Sequence, residues 1–207
     1  MHPILKINQL TNLQDARSSA AVGFDLISFS LERGNPKKLS AAMVWNIVNW
    51  LSGPEIVLDL NVASLEELPE VENMFPYRYM TIPLEEWNEL LLEHADHIIC
   101  KADHTVTPAQ ILDLVESANQ EDKEIKFELF LSDLADAQRF SSVKEHIFIH
   151  FSDISLLEAH IQSGDFAPFG FALGEEAEEE PGVLHYERID DFLEIFFERF
   201  PRQDEFL

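Results

Sequence analysis

Lys6 and Asn8 stand two residues apart in the run Ile4-Leu5-Lys6-Ile7-Asn8. A strand there turns both polar side chains to one face. A cation and an amide so placed can orient and hydrogen-bond a ligand. Equally, Lys6 can pair with an interior carboxylate, Asp59 or Glu128, while Asn8 fills space; the residues leave both readings open. Other polar groups fall at or near the ends of apolar runs: Asp59, Asn61, Lys101, Asp103, His150 and Asp153. His150 with Asp153 or Asp59 has the chemistry of an acid–base pair or a metal site, although a lone strand histidine is more often structural. The eight histidines show no His-Glu-x-x-His spacing, and neither Gly-x-Ser-x-Gly nor a Ser/His/Asp set is present. No metal and no cofactor is expected.

The elements that would position these groups alternate. Eight apolar runs read as strands: Ile4–Asn8, Phe24–Leu31, Glu55–Leu60, Tyr77–Ile82, His97–Lys101, Ile125–Leu131, His146–Phe151 and Phe169–Leu173. Helical segments separate them, at a repeat of roughly 24 residues, short but workable for a βα unit. Thr11/Asn12 and Ser40 are helix-start signals, Thr107-Pro108 pairs a cap with a first-turn proline, and Gly23 and Gly53-Pro54 are stops. Ser64-Leu65-Glu66-Glu67 and Ser155-Leu156-Leu157-Glu158 read as capping boxes. The apolar stripe of Ile189–Phe200 reads as core. Eight alternations favour a closed parallel barrel, an α/β fold, and no Gly-x-Gly-x-x-Gly turn supports a dinucleotide fold. In such a barrel Lys6 and Asn8 point inward, near the C-terminal face where barrel sites are built.

Composition narrows the partners. The 207 residues carry 14 Lys and Arg against 39 Asp and Glu, a formal charge of −25. That balance argues against nucleic acid and against an anionic membrane surface, and it repels a phosphate substrate. Cys100 is the only cysteine, so an internal disulfide is excluded, and a buried inert thiol is expected. No apolar run reaches the ~20 residues of a membrane span and no signal-peptide pattern opens the chain, so a cytoplasmic protein is expected.

The opening resembles the phosphoribosylanthranilate isomerase family of tryptophan biosynthesis. That family typically begins Lys-Ile-Cys-Gly, then Leu/Ile-Thr and an acidic residue before Ala; Lys6, Ile7, Leu10, Thr11, Asp15 and Ala16 fit. Gly23-Phe24-Asp25-Leu26-Ile27-Ser28-Phe29 resembles the family's second strand, Gly-Ala-Asp-x-x-Gly-Phe. Asn35-Pro36-Lys37-Lys38-Leu39-Ser40 resembles Ser-Pro-Arg-Tyr-Val-Ser, with Lys37 in place of the arginine that contacts the anthranilate part of the substrate. Gly174-Glu175-Glu176, Pro181-Gly182 and Ile189 resemble the family's C-terminal run. The resemblance is strongest at both ends and weak between Glu55 and Phe151. It implies a single (β/α)8 TIM barrel over residues 1–207, a small-molecule ligand at the C-terminal face, and an aldose–ketose rearrangement as the ancestral reaction. A homodimer stays open.

Four departures bear on that reaction. The family's general-base cysteine falls on Asn8, an amide that takes no proton at neutral pH, and its glycine on Gln9. The general-acid aspartate of strand six has only Glu128 or Asp133 as substitutes, each needing a register shift. The glycine pair after strand seven becomes Ser152-Asp153. Two serines before Gly174 become Ala172-Leu173. A helix N-terminus favours an anion by about 0.3–1 kcal/mol, whereas a carboxylate ~5 Å from a phosphate charge opposes it by roughly 3 kcal/mol. Asp153, Glu175, Glu178, Glu179 and Glu180 are candidates for that opposition; Glu176 is not counted, because the family carries a Glu at the matching place. The expectation is a diverged barrel without the isomerase reaction, binding a ligand through Lys6, Asn8, Lys37, Asp59, His150, Ser152, Asp153 and Gly174. Asn8 is expected to face the open mouth with no ionisable group replacing the cysteine. The alternatives are an active isomerase or other barrel enzyme with substituted acid and base, and an acidic module that binds a basic protein.

Overall fold

The structure, a computed structural model, describes residues 2–88, 91 and 93–202. Eight parallel strands close on themselves in sequence order: β1 (Ile4–Ile7), β2 (Leu26–Ser30), β3 (Glu55–Asp59), β4 (Tyr79–Pro83), β5 (His97–Asp103), β6 (Glu124–Leu131), β7 (Ile147–Phe151) and β8 (Gly170–Leu173). Closure runs through β1, where Lys6 is paired with Leu26 on one side and Ala172 on the other. All eight expected runs are strands, because strands covered on both faces read as near-continuous apolar segments. Their edges differ: Asn8 lies just beyond β1, and β5 continues to Asp103.

Helices α1 (Leu13–Val22), α2 (Ala41–Val48), α3 (Leu68–Met74), α4 (Pro108–Gln120), α5 (Leu134–Gln138), α6 (Ile154–Ser163) and α7 (Tyr186–Arg199) alternate with the strands. Asn12, Ser40 and Thr107 cap α1, α2 and α4 through their side chains. Two expected caps are displaced. Asn61 precedes a 3-10 turn, with Ser64 Oγ accepting its N–H at 2.9 Å, and α3 starts only at Leu68. Asp153, not Ser155, caps α6. Between β4 and β5 the described residues include a 3-10 turn, Leu84–Glu86. The acidic stretch after β8 is ordered into a 3-10 turn, Glu175–Ala177, and a hairpin of β9 (Glu178–Glu180) and β10 (Val183–Leu184). No helix among the described residues is long and apolar enough to cross a membrane.

The main core lies between barrel and helices and includes Leu5, Ile7, Ile27, Phe29 and the α7 residues Ile189, Phe192 and Phe196. A second, separate cluster fills the barrel itself: Leu26, Val57, Ile99, Phe148 and Ala172, flanked by Ile4, Tyr79 and Phe169. Gly170 makes room for it, since a Cβ there would lie 2.5 Å from the Phe148 ring and 2.6 Å from the Ile4 carbonyl oxygen. Toward the C-terminal ends of the strands the interior turns polar. Lys6, Ser28, Asp59, Thr81 and Glu128 are all fully buried there.

Candidate functional site at the barrel mouth

The alternation of β1 sends Leu5 and Ile7 outward to the helices and Lys6 inward, as the pleat requires. A buried ammonium must find a partner. Lys6 Nζ lies 2.7 Å from Glu128 Oε2, across the barrel on β6. Of the two carboxylates expected to serve, Glu128 does so and Asp59 does not. Asn8 completes the arrangement, its Oδ1 accepting from Lys6 and its Nδ2 donating to Glu128 Oε1 at 2.7 Å. Asn8 lines the mouth pocket as expected, but beside an ionisable group, and the expectation that none would lie there is corrected. The side chain was pulled in by the need to satisfy Glu128.

Glu128 accepts from Lys6, Asn8 and His150. Burial alone would raise its pKa, but the charge of Lys6 and the hydrogen bond and charge of His150 outweigh that and hold it well below the usual carboxylate range. His150, two residues beyond Phe148 on β7, donates from Nδ1 to Glu128 Oε1 at 3.0 Å and from Nε2 to Glu176 Oε2 at 3.0 Å. Burial opposes its charge, yet the two carboxylates prevail and raise its pKa to about 9. A carboxylate oxygen at each ring nitrogen favours the imidazolium over either neutral tautomer. Its partners are thus Glu128 and Glu176, not the Asp153 or Asp59 considered from sequence. Among the described residues no group of three or more His, Cys, Asp or Glu side chains has a metal-holding arrangement.

Above this chain of charges opens a pocket of about 390 Å³, lined by residues including Asn8, Lys37, Phe130, Ser152 and Gly174. Lys37, Lys101 and His150 are its cationic lining residues, and each already meets two carboxylates. Lys37 lies 2.7 Å from Glu178 and 3.4 Å from Glu175. Lys101 lies 3.0 Å from Asp59 and 3.5 Å from Glu32, and those charges, with that of Glu128, keep its pKa above the ordinary value despite burial. Asp59 sits beneath the pocket, accepting also from Ser28 Oγ at 3.1 Å, while its Oδ1 and the neighbouring Thr81 Oγ1 have no hydrogen-bond partner.

The cationic donors of the pocket and the Gly174 N–H are occupied by the protein's own carboxylates. Glu176 Oε1 takes the Gly174 N–H at 2.7 Å. Asp153 caps α6, accepting from Ser155 N at 2.9 Å, and pairs with Arg188 at 3.0 Å, so it is a helix cap at the rim rather than a pocket residue. Asp133 likewise caps α5, accepting from Asp136 N at 2.8 Å, which leaves Glu128 as the inward-facing acid of β6. Gln9, Phe130 and Glu176 line the pocket and escaped the sequence reading. Phe130 follows Glu128 at strand spacing, is 41% exposed, and places its ring centroid 4.3 Å from that of His150. Its strand spacing from Glu128, which puts both on one face, was the available signal. Glu176, set aside on the resemblance, turns inward on the 3-10 turn after β8 and is nearly fully buried.

No protein-family model matches the chain, and no curated protein matches it. Solved structures share its fold. A phosphoribosyl anthranilate isomerase in complex with reduced 1-(o-carboxyphenylamino)-1-deoxyribulose 5-phosphate superposes with a TM-score of 0.76 at 17% identity, covering 94% of this chain and 98% of that one. The isomerase from Thermotoga maritima gives 0.72 at 16% identity over 95% and 98% of the two chains. The barrel is not confined to that activity: 3-hexulose-6-phosphate synthase from Salmonella typhimurium gives 0.64 at 12% identity over 96% and 100%.

Proposed function

We propose that this barrel binds a small polar ligand at its mouth and does not carry out the phosphoribosylanthranilate rearrangement. The observation that carries the reading is the pairing of Lys37, Lys101 and His150 with two carboxylates each. A sugar phosphate entering the pocket would meet excess negative charge, and its phosphate would have to displace Glu176 from the Gly174 N–H. The rearrangement also needs a base at neutral pH. Asn8 supplies none, and Glu128, held ionised by three donors, has too low a proton affinity to serve efficiently. Purified protein is expected to give no turnover of phosphoribosylanthranilate above background and no rescue of an isomerase-deficient tryptophan auxotroph. Clear turnover or rescue would refute the proposal.

A second reading is favoured by one observation, the unbroken chain Glu128–His150–Glu176 running from the interior to the pocket beside Asn8. An imidazolium between two carboxylates can pass a proton, so the mouth has an acid even though its base is suppressed. On that reading the barrel is an enzyme of different chemistry, acting on an uncharged polar substrate. Loss of the cysteine alone therefore does not exclude catalysis. The fold's neighbours include more than one reaction, and function must be argued from the site.

A further inference from the structure

We infer that Glu176 is a tethered occupant of an anion site at the barrel mouth, so that it fixes the charge of the ligand the mouth accepts. This deepens the preceding reading, on which the mouth is the ligand site. The Glu176 carboxylate does what a bound carboxylate would do. One oxygen accepts from the backbone N–H of Gly174 at 2.7 Å and the other from His150 Nε2 at 3.0 Å. Backbone amide and imidazolium together are a strong anion receptor. The side chain is only 5% exposed, yet it lines the pocket, so it sits at the boundary between interior and ligand space.

Charge balance explains why the position must be filled. Lys6 and His150 share the single carboxylate of Glu128, two basic groups on one acid, all buried. Glu176 supplies the second carboxylate. An uncompensated buried charge is costly, so without Glu176 the cluster would draw in an anion or release a proton from His150. With Glu176 in place Lys6 and His150 have two carboxylates between them, and Lys37 and Lys101 already meet two each. A ligand therefore meets this part of the mouth with an uncharged or cationic group. The closeness is set by Gly174: a Cβ there would lie 3.0 Å from His150 Cε1 and 3.5 Å from Glu176 Oε2. A larger residue would crowd the His150 ring.

Glu176→Ala removes the tethered carboxylate and leaves its receptor. Sodium formate, acetate and inorganic phosphate are the probes, followed by calorimetry, by thermal unfolding and by the ¹⁵N resonances of the His150 ring. The variant is expected to bind formate saturably, with a dissociation constant on the order of 1–10 mM and at least about tenfold tighter than the parent protein. Its melting temperature should rise with formate, and the His150 Nε2 resonance should shift on titration. Glu176→Gln, which fills the same volume, should bind none. If Glu176→Ala folds only in formate or acetate, that rescue supports the assignment. A folded Glu176→Ala variant that takes up no anion would overturn it, as would formate binding by the parent protein equal to that of the variant. Failure to fold with and without formate would also count against it. Turnover of phosphoribosylanthranilate by the parent protein would sink the preceding reading without deciding this one, because formate uptake is read on the variant alone.

Discussion

Phe148 and His150 stand two residues apart on β7 and face the same barrel interior. Phe148 packs among Leu26, Val57, Ile99 and Ala172, while His150 is held between two carboxylates. The halves of the interior they represent use the same strands and the same inward alternation with opposite chemistry. The apolar half is what closure of a small barrel requires, since its interior is a packed core. The charged half is not required for closure. Apolar residues of similar volume often replace a buried ion pair without loss of stability. Charges kept at the C-terminal ends of the strands, beneath a pocket, are what the proposed ligand site uses.

The sharpest way to break this comparison is to unbalance the charged half. Lys6→Met leaves Glu128 without its ammonium and is expected to cost about 3–5 kcal/mol in urea unfolding. Lys6→Met with Glu128→Leu should cost less than Lys6→Met alone, because it removes the stranded charge. If the double variant is no more stable than the single, the upper half is packing in disguise. A second test uses pH. The folded-state pKa of His150 is raised to about 9 from 6.5, so its contribution is fully present below pH 6.5 and is lost as pH rises through 9. Melting temperature should fall across that window, by a contribution of about 3 kcal/mol or less. His150→Gln should flatten the fall, and an unchanged slope would place the titration elsewhere. The apolar half gives the smallest effect. Gly170→Ala pushes a methyl into the Phe148 ring and should cost about 1–3 kcal/mol, independent of pH. A cost that varied with pH as His150 titrates would show the halves to be coupled.

The same contrast explains what could be read from the chain. Strands, barrel closure and the inward face of Lys6 were legible because period-two alternation and apolar runs are local signals. Glu128 could be named as a partner for Lys6 because few carboxylates lie inside strands. Glu176 was not legible. It lies on a short 3-10 turn after β8, and no periodicity tells which way such a turn aims its side chains. Glu32 as a partner of Lys101, and Glu178 as a partner of Lys37, depend on contacts between a loop and a strand far apart in sequence. The displaced caps at Asn61 and Asp153 have a related cause: several Ser, Asn and Asp residues compete before each helix, and tertiary fit selects among them.

The central claim is that the acid–base groups of the mouth are locked in a compensated network, with His150 charged and Glu128 ionised at neutral pH. The ¹⁵N spectrum of the His150 ring at pH 7.5, followed upward in pH, tests it most directly. The account predicts both ring nitrogens protonated at pH 7.5 and a single titration near the value of about 9 given by the site's geometry. A neutral single tautomer at pH 7.5 would contradict it, because it would leave the mouth with a free base and one of the two carboxylates without its donor.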